Sequence, residues 1–104
     1  MIDKANIIPA VLERLENLPQ GHYLDVRTYK RNRYVLFVKK AEDRFLVLER
    51  GYFQERFEDV SLKKLRKLLR VLLKKEFPRS TKIRVYNMGE FEEQSADNIQ
   101  RKVL

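Results

Sequence analysis

Lys63, Lys67, Arg70 and Lys74 recur at spacings of three and four, so on a helix they line up as one row of cations. Such a row suits ionic contact with phosphates, since each side chain is charged at neutral pH and donates hydrogen bonds that phosphate oxygens accept. The surrounding segment, residues 61–76, holds seven basic residues and a single acid, Glu76. Its leucines (Leu62, Leu65, Leu68, Leu69, Leu72 and Leu73) fall on a different arc at about 100° per residue. That pattern predicts a helix that buries leucines and displays cations. The arrangement costs helix stability: Lys63 and Lys64 oppose the positive end of the helix dipole, and Lys63/Lys67 and Arg70/Lys74 repel at i,i+4. A bound polyanion offsets the repulsion, and a solvated face on a well-buried helix tolerates it.

A second basic cluster lies at residues 27–34, where Arg27, Lys30, Arg31 and Arg33 interleave with Tyr29 and Tyr34. Cations meet phosphates and tyrosine rings stack on unpaired bases, so the mixture suits single-stranded nucleic acid or RNA. A hairpin tip that must stay soluble has the same composition. Alternation puts Tyr23 and Tyr29 on the strand face of Asp25 and Arg27, away from the helices and open for stacking. Phe37, Phe45, Phe53 and Phe57 are expected to face the helices as core. Beyond the helix, Arg79, Lys82 and Arg84 extend the basic stripe.

Little in the chain points to catalysis. His22 is the one histidine and there is no cysteine, so neither a Cys/His pair nor a zinc site of the usual ligands can be assembled. Gly21, Gly51 and Gly89 are isolated, which excludes both the phosphate-binding P-loop and the dinucleotide fingerprint. His22 and Asp25, three apart on a strand, point to opposite faces. Glu90, Glu92, Glu93 and Asp97 have the chemistry for a divalent cation but read as a solvated acidic tail. No catalytic residue, cofactor or metal is expected. The lack of cysteine fits a reducing compartment, and no apolar run approaches a membrane span, so the expectation is a cytoplasmic protein with no membrane partner.

The elements that must position these clusters follow from periodicity. Residues 6–18 read as a helix with Asn6 as N-cap and Pro9 in its first turn. From residue 22 the period changes to two, giving strands at 22–29, 33–39, 44–49 and 52–60 joined by short turns, an antiparallel meander. The basic helix follows, capped by Ser61 and stopped at Phe77-Pro78, and residues 82–86 alternate as a fifth strand. The expected fold is α+β: a four- to five-stranded meander sheet with the N-terminal helix and the basic amphipathic helix on one face, in the order α-β-β-β-β-α-β. With 104 residues the chain suits one core. Residues 1–89 are expected to form a single domain and residues 90–104 an acidic tail, with a short helix docked from Ser95 onwards.

In element order, residues 6–76 are similar to the double-stranded-RNA-binding domain, whose last helix presents a lysine cluster like Lys63-Lys64-Leu-Arg-Lys67 to phosphates. The chain departs from that family at Leu65, Leu68, Leu69 and Leu72, which replace its small alanines, and in lacking its Gly-Pro-x-His loop. A meander followed by a helix is also similar in order to single-stranded-DNA-binding transcriptional coactivators. Both likenesses concern fold order, which does not carry function. Net charge is +8, and residues 61–89 alone carry ten basic residues against Glu76, a local excess of +9. A field so localised attracts a polyanion, so the expected partner is nucleic acid, RNA or DNA. The alternative is a protein-interaction or homodimerisation module without catalytic activity, in which an exposed sheet face or edge pairs with a partner and the basic stripe meets acidic segments, of an acidic partner protein or of the chain's own tail Glu90–Asp97.

Overall fold

The computed structural model describes residues 1–92. A 3-10 turn, Lys4–Asn6, leads into α1, Ile7–Glu16. Asn6 precedes the helix as expected, but its side chain makes no capping hydrogen bond. Burial of Ile7, Val11, Leu12 and Leu15 follows the 3.6-residue period. Gly21, at φ +88°, adopts the left-handed turn that leads into the sheet.

Four strands form the predicted meander: β2 His22–Arg27, β3 Tyr34–Ala41, β4 Arg44–Arg50 and β5 Gln54–Val60, each antiparallel to the next. The sheet nevertheless has six strands: with β1, Ile2–Asp3, and β6, Lys82–Glu90, the order is β1-β6-β2-β3-β4-β5. The extra one, β1, is too short to leave a periodic trace. β6 enters beside β2, with Arg84 opposite Arg27 and Val85 opposite Val26. It continues four residues past the predicted end, so Glu90 belongs to the sheet. The predicted short helix from Ser95 lies outside the described residues.

Both helices cover one face of the sheet. Leu24, Val26, Val35, Phe37, Phe45 and Val47 share a buried cluster with Ile7 and Leu15 of α1 and with Leu65, Leu69 and Leu72 of α2, Leu62–Glu76. Leu62 and Leu68, at the margin of the leucine arc, are half-buried against it. The opposite face carries a smaller apolar cluster of Leu36, Val38, Leu46 and Leu48, with Tyr23, Tyr34 and Phe91 packed against it. Tyr23, expected to be open for stacking, meets Phe91 edge-on with ring centroids 5.1 Å apart. Burial, aided by the charge of Asp25, pushes its hydroxyl pKa up. Phe53, expected in the core, is instead exposed in the β4–β5 turn, where the Lys75 ammonium sits 4.4 Å from its ring centroid.

Polar side chains, most of them from other parts of the chain, hold the helix ends. At the start of α2, Ser61 Oγ accepts from the Lys64 amide at 3.3 Å and Asp43 Oδ1 accepts from the Leu62 amide at 2.8 Å. Asp43, in the β3–β4 turn, thereby supplies the negative charge that the first turn of α2 lacks. At the far end Arg33 Nε donates to the Glu76 carbonyl at 2.8 Å and Lys4 Nζ to the Phe77 carbonyl. Lys39 does the same for α1, donating to the carbonyls of Leu15 at 3.3 Å and Glu16 at 2.8 Å. No helix among the described residues is long and apolar enough to cross a membrane.

Under the β4–β5 turn two fully buried carboxyl groups meet, Glu49 and Glu76. Glu76 accepts from the Tyr52 amide at 2.8 Å and the Phe53 amide at 3.1 Å. Burial pushes it up, but the hydrogen bond from Glu49, those two amides and the Arg33 charge outweigh burial and hold it below the usual carboxylate range. Glu49 goes the other way. Burial first, then its hydrogen bond to Glu76, push it up to about 7, with Lys75 Nζ at 3.4 Å opposing. Glu49 Oε2 is buried with no hydrogen-bond partner among the described residues, a setting in which the neutral carboxyl costs less than the carboxylate. A Cβ on Gly51 would lie 2.1 Å from Glu76 Oε1. The carboxylate cannot swing aside without losing both amides, so the turn requires glycine.

Two stability outcomes follow. Leu69→Asp puts an unpaired carboxylate into the core and should cost several kcal/mol, about the whole stability of a domain this size; an unchanged melting temperature would contradict the two-layer core. Glu49, with a folded pKa above its ordinary 4.5, binds more protons folded than unfolded between about pH 4.5 and 7. Its stabilising contribution is complete below pH 4.5 and declines as pH rises to 7, by up to about 1.4 kcal/mol per unit. Glu49→Gln stays neutral at every pH, so its melting temperature should overtake that of the parent at pH 8. Parallel pH profiles of the two proteins would rule out the raised pKa of Glu49.

Candidate nucleic-acid interface

Burial of one side of α2 decides which of its cations stay in water. With Leu65, Leu69, Leu72 and Leu73 against the sheet, Lys63, Lys67, Arg70 and Lys74 are all exposed. Lys67, Arg70 and Lys74 have no ion pair or side-chain hydrogen bond among the described residues. They span roughly 10 Å of helix at about 1.5 Å per residue, comparable with the axial rise of three phosphates of a duplex strand. Val71, half-exposed, stands among them as an apolar contact point. Lys63 differs from the other three: with Arg66 it lines a shallow groove against α1 that also holds Glu13 and Glu16, so acids already moderate its field.

The second cluster does not stay together. Arg27 donates from Nε to Asp25 Oδ1 at 2.9 Å and from Nη2 to Asp25 Oδ2, and its guanidinium lies 4.8 Å from the centroid of Tyr34. The Asp25 hydrogen bond raises the Arg27 pKa further, so this pair is a fixed feature of the outer sheet face. Tyr34 packs on the outer apolar cluster. Arg33 is spent on α2: besides its bond to the Glu76 carbonyl it stacks on Tyr52 at 4.4 Å. That leaves Tyr29, Lys30 and Arg31 exposed at the tip. Strand β2 ends at Arg27, so Tyr29 belongs to the turn. The tip is closed by Thr28 and Arg33, whose amide and carbonyl bond at 3.0 Å, with Arg31 at φ 65°.

What the tip approaches is the chain beyond α2. Arg84 Nε donates to the Tyr29 carbonyl at 3.0 Å while its guanidinium sits 4.7 Å from the Tyr29 ring centroid. Its Nη1 donates to the Tyr86 hydroxyl at 3.3 Å; that bond, with Arg31 adding to it, lowers the hydroxyl pKa. Between the tip and the α2–β6 connection lies an open cleft of about 600 Å³. Lys30 and Arg33 line it from one side and Arg79 and Lys82 from the other, with Tyr29 and Asn32 at the tip. No carboxylate lines it, whereas three grooves elsewhere on the surface are lined by Glu13, Glu16, Glu42 or Asp43. The nearest acid in contact is Asp3, 4.0 Å from Lys82 Nζ and largely solvated. Because Arg79 follows the end of α2 by three residues, the cleft opens where the helical stripe ends.

The stripe could be placed from spacing alone, but the cleft could not. Arg79, Lys82 and Arg84 stood out as a run of cations beyond the helix, yet nothing local indicated that they would face the hairpin. That juxtaposition depends on β6 pairing with β2. Comparison of the chain with protein-family models, curated proteins and solved structures finds no match, so its function is argued from this geometry.

Proposed function

We propose that the chain is a nucleic-acid-binding module that engages phosphates through α2. The observation that carries this reading is the exposed row Lys67, Arg70 and Lys74, which has no acidic partner among the described residues and takes no part in packing α2. Mutual repulsion along the row is relieved when phosphates bind and release their counterions. Lys63 flanks the row more weakly because of Glu13 and Glu16, and Lys30 and Arg31 extend the positive field at the hairpin tip. Arg27, Arg33 and Tyr34, each committed to an internal contact, serve to hold the hairpin in place. Catalysis has no part in this reading: one histidine and no cysteine leave few groups able to act as base or nucleophile.

A second reading is favoured by the edge of β6. β1 pairs only with Lys82 and Ile83, so residues 84–90 have a strand neighbour on the β2 side alone among the described residues. Tyr86 and Met88 are exposed there. Two copies pairing antiparallel about Asn87 would set Arg84 against Glu90 and Tyr86 against Met88, a self-complementary register.

The two readings part in a salt titration. Replacing Lys67 and Arg70 together by Gln should lower affinity for generic DNA and RNA at every sequence and reduce the slope of log K against log salt by roughly two. The melting temperature should not fall, because both side chains are exposed and their removal relieves repulsion. Absence of binding by the parent at low salt, together with a concentration-dependent dimer in sedimentation, would transfer the chain to the second reading.

A further inference from the structure

We infer that the cleft between the hairpin tip and the α2–β6 connection binds a single nucleotide of an unpaired strand, its phosphate held by Lys30, Arg79 and Lys82 and its base stacked on Tyr29. This rests on the nucleic-acid reading for the source of the nucleotide, and it adds a preference for single strands that the helical stripe by itself does not supply.

Four features point to this ligand. The cleft, about 600 Å³, lies within the usual range for a small-molecule site of roughly 300–1,000 Å³ and is far too small for a duplex. Its lining carries four cations and no carboxylate, so an anion gains from the field; among the described residues the ion pair it competes with is the long, solvated contact of Lys82 with Asp3 at 4.0 Å. Arg33 has its Nε committed to α2, which leaves Lys30, Arg79 and Lys82 as the side chains able to close on a phosphate. Tyr29 is 59% exposed and held in place through its carbonyl and ring by Arg84. An aromatic ring fixed in this way is a preorganised platform on which an unpaired base can stack. Asn32, Ser80 and Thr81, also in the lining, supply neutral hydrogen-bonding groups for sugar or base edges. A base within a duplex cannot reach Tyr29, so pairing of the strand should abolish this contact.

The test follows backbone amide shifts while the full chain is titrated separately with adenosine monophosphate, adenosine and inorganic phosphate. Saturable shifts at residues 28–33 and 79–82 are expected with the monophosphate, weaker ones with either half alone. Lys30→Gln with Arg79→Gln should weaken monophosphate binding roughly tenfold or more, both side chains being exposed and folding unaffected. Tyr29→Leu should weaken it roughly tenfold while leaving inorganic phosphate unchanged. The Lys67→Gln/Arg70→Gln protein should bind the monophosphate like the parent. A single-stranded oligonucleotide should lose affinity with Tyr29→Leu, and a duplex of the same sequence should not. Equal monophosphate affinity of parent and cleft variants, or shifts confined to α2, would overturn the cleft while leaving strand binding by the stripe intact. Monophosphate binding in the cleft without any strand binding would instead overturn the nucleic-acid reading and leave a mononucleotide site.

Discussion

The seating of α2 on the sheet is the constraint on which the rest of the molecule depends. Its leucine face supplies a large share of the helix-side core, and its two ends are held by charges that come from elsewhere in the chain: Asp43 at the N-terminus, Arg33 and Lys4 at the C-terminus. Each is on the side the helix dipole favours. A helix whose own first turn carries two lysines would start poorly in isolation, and Asp43 compensates at the amide where the unpaired positive end is strongest. With the helix seated, the rotation about its axis is decided, and with it which cations reach water.

That seating sorts the positive charges into two kinds. Arg27, Arg33, Lys39 and Lys75 are structural: each is tied to a carboxylate, a helix-end carbonyl or an aromatic ring. Lys67, Arg70, Lys74, Lys30 and Arg79 are exposed and without an ion pair among the described residues. A composition of 23 basic residues therefore overstates the field available to a partner, and the location of the uncommitted ones matters more than the total. The buried Glu49–Glu76 pair belongs to the first kind of architecture. It ties the last turn of α2 to the β4–β5 turn through two backbone amides, beneath a glycine that leaves no room for a side chain.

Strand order does for the second cluster what helix rotation does for the first. β6 lies between β1 and β2, so the connection leaving α2 must return past the β2–β3 hairpin, and Arg84 comes to rest against Tyr29. The cleft is a by-product of that return. Its two walls belong to segments almost fifty residues apart, which share only their position at one end of the sheet.

Local periodicity was enough to determine both helices, the four-stranded meander, the capping role of Ser61, the buried leucine arc and hence the exposure of Lys63, Lys67, Arg70 and Lys74. Those features depend on neighbours within a turn of helix or along one strand, and an amphipathic pattern records them directly. The tertiary structure alone decided which arginines are spent. Arg33 meets Glu76 across 43 residues and Asp43 meets Leu62 across 19, and no spacing rule reports such pairs. It also decided that Tyr23 is covered, that Phe53 is not core, and that Arg79 and Lys82 face Lys30. The physical reason is the same in each case: a side chain's local period says which way it points, but what it meets depends on strand order and helix placement, which are settled by packing the whole core at once.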